Sequence, residues 1–220
     1  MSDGGPAKYD RLAPTYSTRY ADHRWVAQRQ RALLERWGEP IPRGSRVLEL
    51  GCADGFATVE LSTAPFDVTA VDFSAGMISQ TRARLERAGA TASCVVADIN
   101  DYEPDAPYDA VLALMWTFFR YARRPDEVLR RLRAVTARKL LVDVNPRETS
   151  VDAAVAMVRD AGFDDVRWRP FLVPQRLAVP APLRPALALA EVVPGVRRLP
   201  LRWRFAVVIK GERPAASRTA

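Results

Sequence analysis

The stretch from Val47 to Thr58, V-L-E-L-G-C-A-D-G-F-A-T, constrains the fold more than any other in this 220-residue chain. It passes from an apolar strand through a glycine-punctuated turn into a helix, the unit from which a doubly wound sheet builds a nucleotide pocket. Gly51 and Gly55 are expected to let backbone approach a ligand where a Cβ would collide, with the free N–H groups of the following helix at the mouth of the sheet. A second apolar strand, Asp67 to Val71, leads into Asp72, about 20 residues past the first glycine, where a carboxylate can accept hydrogen bonds from a ribose diol. The two segments together point to a nucleoside ligand.

What the loop lacks narrows that ligand. A dinucleotide fingerprint, G-x-G-x-x-G, clears room for a pyrophosphate at the helix N-terminus, whereas Ala53 holds the middle position here and Asp54 adds a negative charge beside that terminus. No G-x-x-x-x-G-K-[ST] sequence is present, which removes the phosphate-cradling loop of the triphosphatases. A nucleoside with an amino-acid tail in place of phosphates fits better.

At these residues the chain resembles the class I S-adenosylmethionine-dependent methyltransferases, in their small-molecule branch. The resemblance rests on E-L-G-C-A-D-G at 49–55, V-D-F-S at 71–74, A-D-I at 97–99 and Y-D-A-V-L-A-L at 108–114, and spans about residues 45–170 and 201–210. It implies that Gly51, Cys52 and Ala53 approach the methionine part of S-adenosylmethionine, that Asp72 holds the ribose, and that Asp98 faces the adenine amino group. Phe73, Met77 and Ile99 would wall the adenine, with Leu114 beneath the cofactor. Ala53 departs from the glycine usual in the family and is expected to crowd the site without abolishing binding. Tyr9-Asp10 followed by Ala13-x-x-Tyr16 resembles the family's N-terminal segment, so Tyr16 and Arg19 are expected at the methionine carboxylate; helix packing is the competing reading for the tyrosines.

The length and 48% hydrophobic content suffice for one α/β core. Cys52 and Cys94 are too few for a disulfide framework, no apolar run is long enough to span a bilayer, and no signal peptide opens the chain, so a cytoplasmic setting is expected. The net charge of +7 comes mostly from arginine spread over many segments. It reads as compositional bias, and with no clustered basic arm a nucleic-acid partner is not expected.

Residues 1–44 read as an amphipathic helical cap ended by Pro40 and Pro42, residues 45–210 as the nucleoside-binding domain, and 211–220 as a disordered tail with nothing to bury. Strands are expected at 46–50, 67–71, 92–96, 108–114, 138–144, near 165–171 and at 201–210, with helices at 55–63, 75–88, 125–136 and 150–161. The alternation implies a Rossmann-like, mostly parallel sheet of seven strands with helices on both faces. By resemblance, the last strand inserts antiparallel. An insertion at 174–200 is longer than a hairpin needs; Leu183, Leu187, Ala190 and Val193 would form one apolar helix side. A lid, a lipid-facing surface and an ordinary packed excursion all remain open for it.

Methyl transfer from a sulfonium is an in-line displacement on an already activated carbon, so the chain needs to position a nucleophile and exclude water, with no metal. His23, the only histidine, is the candidate base for a hydroxyl acceptor, with a structural role as its alternative. Asp143 and Asn145 make a poor metal pair, since strand-end Asp, Asn and Pro also mark turns. Trp116, Phe118, Phe119 and Tyr121 could line an apolar acceptor pocket or pack in the core. The expected activity is methylation of a small molecule, foremost a hydroxyl of a specialised metabolite or glycolipid precursor, releasing S-adenosylhomocysteine. A non-catalytic nucleoside-binding partner protein and a peripheral membrane methyltransferase are the alternatives.

Overall fold

A computed structural model of the chain describes residues 5–19, 21–115, 117–173, 178–193 and 206–213. The elements run α1 (Pro6–Leu12), a 3-10 turn (Ala13–Arg19), α2 (His23–Arg36), β1 (Arg46–Leu50), α3 (Phe56–Thr63), β2 (Asp67–Asp72), α4 (Ala75–Ala88) and β3 (Ser93–Val96). There follow β4 (Tyr108–Ala113), α5 (Phe118–Tyr121), α6 (Pro125–Val135), β5 (Thr136–Val144), α7 (Val151–Asp160), β6 (Asp164–Phe171), α8 (Arg184–Ala190) and β7 (Ala206–Glu212).

Seven strands form one sheet in the order β3-β2-β1-β4-β5-β7-β6. The first five are parallel neighbours, and β7 inserts antiparallel between β5 and β6. The Rossmann-like sheet expected from the alternation is therefore present, with its antiparallel last strand. Alternating side chains divide the core between the two faces, as a strand's two-residue period requires. Leu48, Val111, Ala113, Leu140, Val142, Val207 and Ile209 pack against α6 and α7. Val47, Ala110, Leu112, Leu141 and Val208 face α2 and Leu61 of α3.

Helix starts follow local chemistry. The Ser74 hydroxyl accepts the Met77 N–H at 3.1 Å to cap α4, the Asp22 carboxylate accepts the Trp25 N–H at 3.1 Å to cap α2, and Pro125 opens α6 where its missing N–H is harmless. The N-terminal region is not one helix. Pro14 cannot supply the next helical N–H, and the chain tightens into a 3-10 turn after Leu12.

The last strand extends past the expected boundary at 210: Gly211 and Glu212 belong to β7, where Glu212 pairs with Lys139. The rest of the proposed tail, 214–220, lies outside the described residues, as do 174–177 and 194–200 of the insertion and 201–205 of the expected strand.

Candidate functional site

The sheet order reverses between β1 and β4, and the crevice at the carboxyl ends of these strands is where open α/β sheets collect ligands. The loop after β1 is bound to the next strand: the N–H groups of Gly51 and Cys52 both donate to the Val71 carbonyl, at 2.7 and 3.1 Å. Gly51 and Gly55 have φ of +73° and +83°, the left-handed region that glycine enters freely. The close approach they permit is to the protein itself. A Cβ on Gly51 would stand 2.2 Å from Thr117 Cγ2, and one on Gly55 would stand 2.8 Å from the Thr81 side chain. Ala53 adopts φ +49° between them, a conformation that costs a residue with a Cβ about 1–2 kcal/mol.

Asp72 ends β2 with both carboxylate oxygens anchored. Oδ2 accepts the Ala53 N–H at 3.0 Å and Oδ1 the Ser74 N–H at 2.9 Å, so the first loop and the start of α4 meet on one carboxylate. Burial pushes its pKa up to about 6, against the lowering effect of those N–H bonds. Glu49, the penultimate residue of β1, accepts the Thr58 hydroxyl at 2.7 Å and is pushed up to about 7, again foremost by burial. Asp98 accepts the Asn100 N–H at 2.8 Å, and the Asn100 amide donates in turn to the Tyr121 carbonyl at 2.9 Å, tying β3 to α5.

These elements enclose a cavity of about 420 Å³. Of the residues singled out in the sequence, Tyr16, Gly51, Ala53, Asp72, Phe73, Met77, Asp98, Ile99 and Tyr121 line it. Cys52, Leu114 and His23 instead line a smaller adjoining pocket of about 80 Å³, which shares Tyr16, Leu50, Gly51, Ala53 and Met115 with the first. The Arg19 side chain, Tyr20 and Trp116 lie outside the described residues.

Tyr9, Met115, Thr117 and Arg120 line the cavity without having been assigned to it in the sequence. Tyr9 lay in a motif already noted; Met115 and Thr117 directly follow an expected strand end, the usual place for ligand contacts, and that was the available signal. The Tyr9 hydroxyl bonds to that of Tyr121, and both rings pack on Phe73, at 5.4 and 5.5 Å between centroids. Tyr121 thus joins the site, whereas Phe118 is fully buried against the α6 and α7 side of the core and Phe119 packs edge-on against it.

His23 stacks on Phe56 at 4.3 Å and 14°, and its Nε2 lies 2.8 Å from the Ser17 carbonyl, which only an N–H can satisfy. The Phe56 ring also carries the Arg84 guanidinium at 3.5 Å, and Arg84 pairs with Asp54 at 2.9 Å, so the charge beside the helix terminus is internally compensated. The Asn145 side chain serves its own turn, bonding Glu148 and the Arg147 N–H. Among the described residues no group of three or more His, Cys, Asp or Glu is arranged to hold a metal ion.

Residues 47–139 match the family described as a methyltransferase domain. The chain carries a methyltransferase domain. The match begins at β1 and takes in the glycine loop, Asp72, Asp98 and the turn after β4, bearing out the family resemblance drawn from the motifs. No curated protein matches the chain in sequence.

Solved structures share the fold of this methyltransferase domain and its flanking elements. Magnesium protoporphyrin IX methyltransferase from Synechocystis, with bound S-adenosylmethionine, is 14% identical over 94% of this chain and 95% of its own, with a TM-score of 0.67. A complex of the Haloferax volcanii Trm112 methyltransferase activator with a putative methyltransferase aligns at 18% identity over 96% and 98%, with a TM-score of 0.68. The [4+2]-cyclase SpnF aligns at 16% over 95% and 94%, with a TM-score of 0.68.

Proposed function

We propose that the chain binds S-adenosylmethionine in the larger cavity and transfers its methyl group to a small-molecule acceptor, foremost a hydroxyl of a specialised metabolite or glycolipid precursor. The observation that carries this reading is the convergence of Asp72, Asp98 and the Gly51–Ala53 loop on one cavity. A buried carboxylate held by two backbone N–H groups suits a ribose diol, because it presents acceptor oxygens to two hydroxyl donors. The volume suits a nucleoside with a short tail, and the lining contains two carboxylates and no phosphate-cradling turn.

Bound S-adenosylmethionine supplies a methyl carbon already activated by its sulfonium. In this assignment Phe73, Met77 and Ile99 flank the adenine, Asp98 accepts from its amino group, and Tyr16 and Arg19 hold the carboxylate tail. The cap assigned to residues 1–44 contributes Tyr9 and Tyr16 to the cavity and His23 and Gln30 to the smaller pocket, which would exclude water from the transfer. His23, held at Nε2 by the Ser17 carbonyl on the wall of the smaller pocket, is the candidate base for a hydroxyl. The adjoining pocket, mostly apolar but reached by His23, Gln30 and Glu49, favours an enzyme over a non-catalytic binding partner. SpnF is a reminder that this fold carries more than one chemistry, so the acceptor must be argued from the site. The two free cysteines suit a reducing, cytoplasmic setting.

The decisive experiment is calorimetric titration with S-adenosylmethionine and S-adenosylhomocysteine, beside Asp72→Ala. Binding of both by wild type, with marked loss in the variant, supports the assignment; no binding by a folded wild type overturns it.

One observation favours the peripheral-membrane alternative. Of five large hydrophobics exposed among the described residues, four (Leu183, Leu189, Val192 and Val193) fall within one stretch around α8. No helix among the described residues is long and apolar enough to cross a membrane, so such contact would be interfacial. Co-sedimentation with liposomes, lost on deleting 174–200, would support it.

A further inference from the structure

Away from the cavity, α2, β6 and the turn after α8 meet around three charged side chains. Glu191 is 2% exposed; one carboxylate oxygen accepts the Leu172 N–H at 2.7 Å and the other bonds the Arg29 guanidinium. Arg29 lies over Phe171, 5.8 Å from the ring centroid, with its side chain 15% exposed. Arg169 stacks on Trp37 at 4.6 Å, close enough to Glu191 and Arg29 to feel both charges. The Arg169 side chain has no carboxylate of the described residues within ion-pair distance, and the Nε atoms of both Arg29 and Arg169 are buried without hydrogen-bond partners.

The cluster therefore places two guanidinium cations around one carboxylate, in surroundings that strip much of their hydration. A largely buried cation without a partner is costly, and the cost is relieved by a counter-anion. Arginine forks bind planar or tetrahedral oxyanions with two parallel N–H bonds, while Trp37 and Phe171 hold the forks in place by their faces. The nucleoside site requires none of these residues.

We propose that Arg29 and Arg169, bracketing Glu191, form a second ligand site that binds a phosphate group. Val192 and Val193 follow Glu191 directly and are exposed, so the phosphate can be free or the headgroup of a lipid.

Inorganic phosphate, titrated against the full chain at constant ionic strength while thermal unfolding and tryptophan emission are followed, tests this. Wild type should show a saturable rise in melting temperature, roughly 3–5 °C at ten times the Kd, with an emission change from Trp37. Arg169→Gln should lose both, and Arg169→Lys, which keeps the charge but not the fork, should retain a weaker response; if the glutamine variant does not fold, the lysine variant alone decides. Co-sedimentation with phosphatidylcholine vesicles, with and without phosphatidylglycerol, separates the sources. Binding that needs phosphatidylglycerol and Arg169 assigns a lipid headgroup, and a phosphate response without vesicle binding assigns a soluble ester. No response in wild type, or responses equal across the variants, overturns the site.

Discussion

Gly44 and Gly51 share a left-handed backbone, φ +78° and +73°, and differ in their surroundings: a Cβ on Gly44 meets nothing, whereas one on Gly51 meets Thr117. Gly44→Ala should destabilise by about 1–2 kcal/mol from strain alone, and Gly51→Ala by about 1–3 kcal/mol more from overpacking, with Thr117→Ala recovering that excess in urea unfolding. If the two alanine variants unfold alike, the close packing of Thr117 on the loop is wrong. Buried carboxylates give a second residue-scale effect. Glu49 is raised to about 7 from an ordinary 4.5, so its contribution to folding is fully present below pH 4.5 and is lost as pH rises through 7, a swing of roughly 3 kcal/mol. Glu49→Gln should remove that slope, seen as a wild-type deficit at pH 8 that vanishes at pH 5; parallel curves would refute it. Cofactor binding should run the other way, because ribose hydroxyls need the Asp72 carboxylate ionised. With that group at about 6, affinity for S-adenosylhomocysteine should fall about tenfold between pH 7 and pH 5, and the pH dependence should flatten in Asp72→Asn.

Among the elements, the contact that organises the mouth of the cavity runs between α1 and α4. Asp10 accepts the Ser74 hydroxyl at 2.6 Å and the Gly76 N–H at 2.9 Å, acting as a second cap on α4 from a distant part of the chain. Those bonds hold its carboxyl below the usual range. A Cβ on Gly76 would lie 3.0 Å from the Asp10 Cα, so glycine sets how closely the two helices approach. Asp10→Ala should raise amide exchange across residues 6–19 and weaken S-adenosylhomocysteine binding while leaving exchange in the central strands unchanged; protected amides in that segment would rule the latch out. Local pattern made most of the sheet legible: β1 and α4 match their expected bounds, and the first four strands differ by a residue or so, because apolar runs end there at glycine, serine and acidic residues. What escaped was either short or long-range. The four-residue α5 has too few positions to show a period, and the Asp10 contact leaves no trace in neighbouring sequence. The cavity-lining residues that were singled out stand at strand ends, in the first turn of α4 or in the N-terminal motif, except Tyr121, which shares α5 with the unassigned Arg120.

For the whole molecule, the critical feature is that the last strand in sequence is not last in space. β7 lies between β5 and β6, and its residues alternate between both cores: Val207 and Ile209 on the α6 and α7 side, Ala206 and Val208 on the α2 side. Beneath them Lys210, 1% exposed, pairs with Asp165 and Glu212, and the Glu212 carboxylate accepts the Glu39 N–H at 2.7 Å, so the base of β7 also holds the chain after α2. Removing Val207, Val208 and Ile209 forfeits roughly 5–9 kcal/mol of burial, within the range of an entire domain's stability, and leaves two strand edges unpaired. A chain ending at residue 205 should therefore lack a cooperative thermal transition, although every residue of the matched domain at 47–139 is intact. Ending the chain at residue 213 instead retains all of β7 and should leave the transition near that of the full chain. Calorimetric unfolding of the two truncations checks this: a cooperative transition in the shorter chain would mean that the parallel strands fold alone and that β7 is only an edge cover.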